Sequence, residues 1–253
     1  MEKILAHCLL HRKIGFRDGA YFFSTILVPT GVYWFFAVPE SKTAYIASYL
    51  VCSFSAFSFF GVVFFQYSVN TANERTSSWA QWSKTLPCPM IIPLIARFLT
   101  SLVFGFLSCA LIYLIALKYT PTDLSFVTYL KVFGLLAIGS IPFLMFGIFC
   151  GQIFSTKSIV PVANFIYLVL SFSGGLWKPP EILPQVLQDI CPYLPTYHYG
   201  RLVWSIPAAD QPFEMQNAMY LAGFTLFFFA ALMIQENNLH KKLLGNFRSK
   251  KIA

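Results

Sequence analysis

The sequence predicts an all-α integral membrane protein, and three observations lead to that fold class. Of its 253 residues, 57% are hydrophobic and 11% are charged, whereas about a quarter of the residues in soluble domains are charged. Aromatic residues reach 18%, which suits lipid-facing surfaces and helix packing. The apolar residues also form long, nearly continuous runs, and in lipid such runs favour helices because a helix pairs its own backbone donors and acceptors.

Six of these runs are long enough to cross the hydrocarbon core of a bilayer, which takes about 20 residues per helix. They occupy about residues 19–38, 44–66, 92–117, 125–150, 158–177 and 215–235. Residues 1–18 mix apolar side chains with Lys and Arg, a pattern typical of a helix that lies in the membrane interface. We therefore expect one domain over residues 1–253, with an interfacial helix followed by six transmembrane helices.

The basic residues are distributed unequally between alternate loops. Six spans place both termini on one side of the membrane, and that side carries 13 of the 18 Lys and Arg residues. Because short cytoplasmic loops are enriched in Lys and Arg, both termini are predicted to be cytoplasmic. The formal net charge of +8 then reflects orientation in the membrane, and we expect no nucleic-acid binding.

Motifs for catalysis or energy conversion are missing from the sequence. It lacks the GxxxxGK[ST] loop that cradles nucleotide phosphates, and it has no HExxH pair, GxSxG elbow or carboxylate dyad. Few ionisable residues fall inside the predicted spans, and Lys131 is the clearest of them. This argues against a carrier driven by an ion gradient. We expect no catalytic residue, cofactor or metal in this chain.

The predicted cytoplasmic connection, from about residue 67 to residue 91, holds a charge pair, two tryptophans and a Leu-Pro step. These residues are Glu74, Arg75, Trp79, Trp82, Leu86 and Pro87. Tryptophans three residues apart share one face of a helix. That face either belongs to the interfacial aromatic belt or forms a docking surface for a cytoplasmic partner.

The predicted external connection, from about residue 178 to residue 214, contains seven prolines. Its apolar piece over residues 182–190 is able to form a short helix at the outer surface. Just before it, Gly174 and Gly175 permit a break in the helix, and Pro179 and Pro180 prevent the helix from resuming at once. An ordinary helix end is the alternative.

These connections resemble those of type-2 (ABC-2 type) permeases of ATP-binding-cassette exporters, including the daunorubicin-type drug and antibiotic resistance permeases. The resemblance rests on Glu74-Arg75 leading to Leu86-Pro87, and on Gly174-Gly175-Leu176-Trp177 followed by Pro180, Leu183-Pro184 and Leu194-Pro195-Thr196. The number of spans, the orientation and the place of both connections agree, so it covers nearly the whole chain. After Arg75, relatives often carry Gly-Thr, whereas this chain has Thr76-Ser77-Ser78.

The resemblance implies roles for both connections. Glu74, Arg75 and the helix through Leu86 would form a coupling element that touches the ATPase subunit, with a solvated charge pair as the alternative for the first two residues. The other connection would partly re-enter the outer leaflet and form an extracellular gate. The residues implied for that gate are Gly174, Gly175, Trp177, Pro180, Pro184 and Pro195.

The resemblance also implies partners, and it leaves other functions open. It implies a separate cytoplasmic ATPase that holds ATP and Mg²⁺, a second permease subunit in a homodimer rather than a heterodimer, and a bacterial inner-membrane location. The cargo of the exporter would be amphipathic or lipid-like, such as a drug, antibiotic, lipid or glycan. A gradient-driven secondary transporter and a non-transporting assembly or signalling partner are the alternatives.

Two features inside the predicted spans concern helix packing. Gly147 and Gly151 form a GxxxG pair in the fourth span, which allows close helix approach either within the subunit or between subunits. Asn164 in the fifth span favours a hydrogen bond between helices over a contact with substrate.

Overall fold

A computed structural model describes residues 23–76, 91–207 and 214–249 of the chain. Every regular element in these ranges is helical, so the predicted all-α fold class is confirmed for them. The predicted interfacial helix, residues 1–18, lies outside the described residues. So does most of the predicted cytoplasmic connection, residues 77–90.

The chain runs through nine helices in the described ranges. The first, α1 (residues 23–37), begins and ends in π geometry around an α-helical turn, Val28–Val32, that contains Pro29. Proline has no N–H to bond the preceding turn, and a local change of helix type is a common response. The others are α2 (Ala44–Thr76), α3 (Ile91–Tyr119), α4 (Phe126–Gly139), α5 (Ile141–Ile153), α6 (Ile159–Ser173), α7 (Gln185–Ile190), α8 (Pro195–Trp204) and α9 (Met215–Ser249).

Four helical segments are long and apolar enough to cross a membrane. They are Ala44–Thr76, Leu94–Tyr119, Phe126–Ile153 and Met215–Gln235. Two shorter apolar helices, Thr25–Ala37 and Ile159–Ser173, coincide with the first and fifth predicted spans. The described part of the chain is therefore an all-helical membrane protein with four candidate membrane-spanning segments, and the total of six stays a prediction.

The helix boundaries differ from the predicted ones at four places. Helix α2 continues to Thr76, ten residues beyond the predicted end of the second span, because Tyr67, Ser68 and Ala72 are buried against neighbouring helices. The fourth span consists of two helices, α4 and α5, that meet at Ser140 before Pro142. Helix α6, in the fifth predicted span, ends at Ser173, four residues before the predicted end. Helix α9 continues to Ser249, 14 residues beyond the predicted end of the sixth span.

Helix α2 lies at the centre of the bundle and packs against α1, α3, α4, α5, α6 and α8. Over residues 44–65 its side chains are mainly apolar or small on all sides, as expected for a helix that is surrounded by others. Its closest neighbour is α5, where a Cβ added to Gly147 would lie 2.7 Å from the carbonyl oxygen of Phe64. A Cβ added to Gly151 would lie 2.5 Å from the carbonyl oxygen of Ser68. The GxxxG pair thus makes a close helix contact within this chain.

Candidate functional site

Arg75 caps the end of a neighbouring helix. It lies in the last turn of α2, and its guanidinium donates to the carbonyl oxygens of Gln152 and Phe154, the latter at 3.1 Å. These carbonyls close the C-terminus of α5, where backbone oxygens lack intrahelical partners and carry partial negative charge. A planar guanidinium reaches two oxygens at once, whereas a lysine ammonium acts as a single point charge. Arg75 therefore joins α2 to α5.

Glu74, the preceding residue, joins α2 to α3. Its carboxylate forms an ion pair with Arg97, whose side chain is 14% exposed against 37% for that of Glu74. A second bond lies further along the same two helices, where Ser101 Oγ donates to Gln66 Oε1 at 2.7 Å. Because the ion pair is partly buried, salt screens it less than it screens a surface pair.

Glu74, Arg75 and Arg97 are called the α2 clamp below. Through the clamp, the Thr76 end of α2 is bonded to both α3 and α5. The predicted contact of Glu74 and Arg75 with an ATPase stays a prediction, and both side chains are engaged within the chain. The other predicted coupling residues lie outside the described residues: Trp79, Trp82, Leu86 and Pro87.

Gly174 and Gly175 end α6 in a Schellman motif. The N–H of Gly175 donates to the carbonyl of Phe172 at 3.2 Å, and the N–H of Leu176 donates to that of Ser171 at 3.0 Å. Gly175 has φ +81°, the left-handed conformation that this motif requires and that favours glycine. The chain therefore turns sharply after Ser173 and enters what we call the connection segment, residues 174–204.

The start of α8 is hydrogen-bonded to the last turn of α6. Thr196 Oγ1 donates to the carbonyl of Leu170 at 2.7 Å, and a Cβ on Gly174 would overlap the Thr196 hydroxyl. Only glycine therefore allows the end of α6 and the start of α8 to approach this closely.

Trp177 turns back into the helix bundle. Its ring centroid lies 5.3 Å from that of Phe57 and 6.4 Å from that of Phe54 on α2, and 5.6 Å from that of Phe36 on α1. Its indole N–H is buried and has no hydrogen-bond partner among the described residues. Trp177 thus inserts the connection segment between α1 and α2.

The three prolines of the predicted gate stand at the starts of short helices. Pro180 opens a 3₁₀ turn, Pro180–Ile182, and its ring packs on Gly175. Pro184 precedes α7, and Pro195 is the first residue of α8. Proline suits these places because the first N–H groups of a helix have no intrahelical partner and its φ is already helical. The six predicted gate residues all lie within the connection segment, and their role as a gate stays a prediction.

Helix α8 connects this segment to the centre of the bundle. Trp204 Nε1 donates to Ser53 Oγ of α2 at 2.7 Å, and the Trp204 ring stacks on Tyr49 with centroids 5.2 Å apart. Tyr199 Oη donates to the carbonyl of Leu136 in α4 at 3.1 Å. Trp204 and Tyr199 are almost completely buried, so these bonds form away from competing water and hold α8 firmly to α2 and α4.

A polar chain links α8 to α9. His198 is 6% exposed, and its ring nitrogens lie 2.7 Å from Asn217 Oδ1 and 2.8 Å from the carbonyl of Pro192. Asn217 Nδ2 in turn donates to Glu214 at 3.1 Å, and Glu214 forms an ion pair with Arg201 at 3.3 Å. The connection segment is thus bonded to α9 as well as to α2, α4 and α6.

The thiol of Cys191 lies in a 3₁₀ turn of the same segment and is buried. Burial, aided by the nearby Glu181 carboxylate, raises its pKa to about 11. Within the described residues, no group of three or more His, Cys, Asp or Glu side chains is placed to hold a metal ion.

Several residues of this arrangement were not predicted from the sequence. Arg97, Ser53, His198, Tyr199 and Trp204 each bond to residues distant in the chain, up to 151 positions away. The signal that could have identified α8 is its composition: it is an aromatic, polar ten-residue helix opened by a proline, placed between two apolar runs.

Two comparisons with known proteins describe the chain further. The family model described as "ABC-2 family transporter protein" matches residues 20–234. The chain is also 27% identical, over 234 residues, to the Bacillus subtilis (strain 168) protein YvfS, which is named as a transport permease. That alignment covers 90% of this chain and 94% of YvfS.

Proposed function

The chain belongs to the ABC-2 family of transporter proteins, and on this premise we propose that it is the permease subunit of an ATP-driven exporter. A separate cytoplasmic ATPase holds ATP and Mg²⁺, and two copies of the permease form the path. The exporter resides in a bacterial inner membrane and moves an amphipathic or lipid-like substrate. Membership of the family supports the transport role, and the helix contacts described above support the parts that would move.

In this proposal all six apolar helices cross the membrane and both termini are cytoplasmic. The distribution of Lys and Arg supports that orientation. The Thr76 end of α2, with the α2 clamp, is then cytoplasmic, and the connection segment is external. Helix α2 joins the two sides as a single helix of 33 residues.

The single observation that carries the mechanism is the α2 clamp. The ATPase engages residues 77–90, which follow α2 directly, and pulls on the Thr76 end of α2. Because Glu74 is paired with Arg97 and Arg75 caps α5, α3 and α5 move with α2. Glu74 and Arg75 therefore act inside the permease and transmit motion, and Trp79 and Trp82 make the contact with the ATPase.

At the other end the same motion reaches the connection segment. Ser53 of α2 accepts a hydrogen bond from Trp204, and the carbonyl of Leu136 in α4 accepts one from Tyr199. A displacement of α2 or α4 therefore displaces α8 as well. Trp177, which lies between α1 and α2, is then withdrawn or inserted. This supports a gate formed by residues 174–204 that opens when the ATPase subunits close.

A pull-down from native membranes in mild detergent, followed by mass spectrometry, tests the proposed function. We expect a P-loop ATPase to remain bound to the tagged chain, and we expect Trp79→Ala combined with Trp82→Ala to reduce its recovery. Lys157→Ala, which removes an exposed charge on the same side, is the matched control and should recover the ATPase fully. Reproducible recovery of the chain without any ATPase would instead favour a gradient-driven or non-transporting role.

A further inference from the structure

His198 of α8 is held between two hydrogen-bond acceptors. The residue is 6% exposed, and its Nε2 lies 2.8 Å from the carbonyl oxygen of Pro192. A carbonyl oxygen only accepts, so Nε2 carries a proton and donates it. Its Nδ1 lies 2.7 Å from Oδ1 of Asn217, which is also an acceptor. With both contacts made, both ring nitrogens donate, and an imidazole that donates from both nitrogens is a cation.

Glu214 sets the orientation of the Asn217 amide. Asn217 Nδ2 donates to Glu214 Oε2 at 3.1 Å, and Arg201 donates to Glu214 Oε1 at 3.3 Å. Both carboxylate oxygens therefore accept, as those of an ionised carboxylate do. Turning the amide round would place its oxygen against Oε2, and that contact forms only when the carboxyl is protonated. In either orientation, the chain from His198 to Glu214 holds one proton more than a neutral imidazole and an ionised carboxylate.

The groups around the His198 ring favour its positive charge. The neighbouring elements bring Arg201 on α8, Glu214 before α9, and Glu181 in the 3₁₀ turn before α7. Two of these three groups are acids, so together they leave a negative charge that a cation balances. The Tyr220 ring of α9 stacks on the imidazole with centroids 4.0 Å apart, and the face of an aromatic ring attracts a cation.

Two further titratable groups lie beside the ring and are neutral near neutral pH. The Tyr197 ring lies 5.4 Å from the imidazole, and burial raises the pKa of its hydroxyl. Burial also raises the pKa of the Cys191 thiol, next to Pro192, to about 11. Neither group therefore competes for the proton that His198 and Glu214 share through the amide between them.

We propose that His198, Asn217 and Glu214 form a proton-binding site, called the α8–α9 latch below, and that its proton holds the connection segment against α9. Without the proton, one contact of Asn217 brings two acceptors together, at the imidazole or at the carboxylate, and that contact opens. Because the closed latch binds the proton more tightly than the open one, a low pH favours the closed latch and a rising pH favours the open one.

The proton site follows from these contacts alone, whereas its effect on export rests on the proposed function. In that proposal the connection segment is external and gates the path. The pH outside the cell then sets how firmly the gate is held to α9.

Substitution of Glu214 by glutamine tests the proton site without removing the hydrogen-bonded chain. In Glu214→Gln the new amide donates to Asn217 Oδ1, so the Asn217 amide turns round and donates to Nδ1 of a neutral imidazole. Every group is then satisfied without the extra proton. We expect Glu214→Gln to lower the proton affinity of His198 about tenfold, as expected for the loss of one hydrogen bond to a charged group.

Nitrogen NMR of the imidazole, recorded in liposomes from about pH 5 to about pH 9, measures that affinity. Replacing His7, His11 and His240 by glutamine leaves His198 as the single histidine of four. Glu181→Gln in the same background is the matched control, since it removes a nearby acid outside the latch and should change the affinity much less. Equal titration of His198 in all three chains, or an imidazole that takes up no second proton at about pH 5, overturns the proposal.

Hydrogen exchange covers the latch itself and uses the chain with its native histidines. Protection factors of the amides in residues 195–204, corrected for intrinsic exchange, are compared at about pH 6 and about pH 8. In the wild type they should fall about tenfold at the higher pH, and in Glu214→Gln they should stay constant. Protection that is independent of pH in the wild type overturns the proposal, as does an equal fall in Glu214→Gln.

These measurements separate the inference from the proposed function. If the pull-down recovers the ATPase but Glu214→Gln leaves the His198 titration unchanged, the exporter stands and the latch fails. If His198 titrates as expected and no ATPase is recovered, the latch stands and the transport proposal fails.

Discussion

A methyl group added to Gly151 should separate α2 from α5, which pack closely together in the described part of the chain. The added Cβ would lie 2.5 Å from the carbonyl oxygen of Ser68 and 2.6 Å from Thr71 Cβ, so α5 must move away from α2 by about 0.9 Å to reach an ordinary contact distance of 3.4 Å. Because the nearest atom is backbone, no side-chain rotation relieves the clash. Overpacking of this kind destabilises by about 1–3 kcal/mol.

The gain from replacing a helical glycine offsets part of this loss, and at the low end of the range it offsets all of it. Alanine is favoured over glycine in a helix interior by about 1 kcal/mol, so the net loss for Gly151→Ala is up to about 2 kcal/mol. Gly223→Ala in α9 is the matched control, since a Cβ there meets nothing within 4 Å. That variant should be neutral or more stable by about 0.5–1 kcal/mol.

Thermal unfolding in detergent, followed by fluorescence-detected size exclusion, measures both variants. At roughly 2–4 °C per kcal/mol for a chain of this size, Gly151→Ala should lower the midpoint by several degrees, whereas Gly223→Ala should leave it unchanged or raise it. Equal shifts for the two variants would refute the close α2–α5 contact. Separation of the helices should also lengthen the bonds from Arg75 to the end of α5.

Two further predictions concern the connection segment. Trp204→Phe should lower the free energy of unfolding by about 1–3 kcal/mol, because the buried Ser53 hydroxyl loses its hydrogen-bond donor. A double-mutant cycle with Ser53→Ala should show coupling between the two positions, and strictly additive effects would contradict the hydrogen bond. Cys191 should react with maleimide at pH 8 about a hundredfold more slowly than an exposed cysteine introduced by Val186→Cys, because a folded-state pKa of about 11 leaves little thiolate at that pH. Mass spectrometry of the labelled peptides reads both rates, and equal rates would contradict the burial of Cys191.

The helix positions that were predicted best are those set by a continuous run of apolar residues. Helices α3 and α9 begin close to the predicted positions because each apolar run starts sharply. The end of α6 was placed four residues late although Gly174 and Gly175 were identified, because Trp177 extends the apolar run beyond the glycines. The break between α4 and α5 was missed, since one serine and one proline are too few to divide a long apolar run into two recognisable pieces.

The candidate sites depend on contacts that no local pattern contains. Glu74 and Arg75 stood out as a charge pair after an apolar run, but their partners lie 23 to 79 residues further along the chain. Two of those partners are backbone carbonyls, which have no residue signature. Helix α8 was missed for a related reason: it is too short and too polar to be a span, and its importance comes from Ser53, 151 residues before Trp204.

The central claim is that the α2 clamp carries the motion of the ATPase to the connection segment. The most direct test is the maleimide labelling rate of Val186→Cys in reconstituted complexes, with and without ATP trapped by vanadate, in otherwise wild-type, Arg75→Ala and Lys157→Ala backgrounds. We predict that ATP changes the rate in the wild-type and Lys157→Ala backgrounds, and that Arg75→Ala abolishes the change while the ATPase remains bound. A change of rate that persists in Arg75→Ala, or release of the ATPase by that substitution, would contradict the claim.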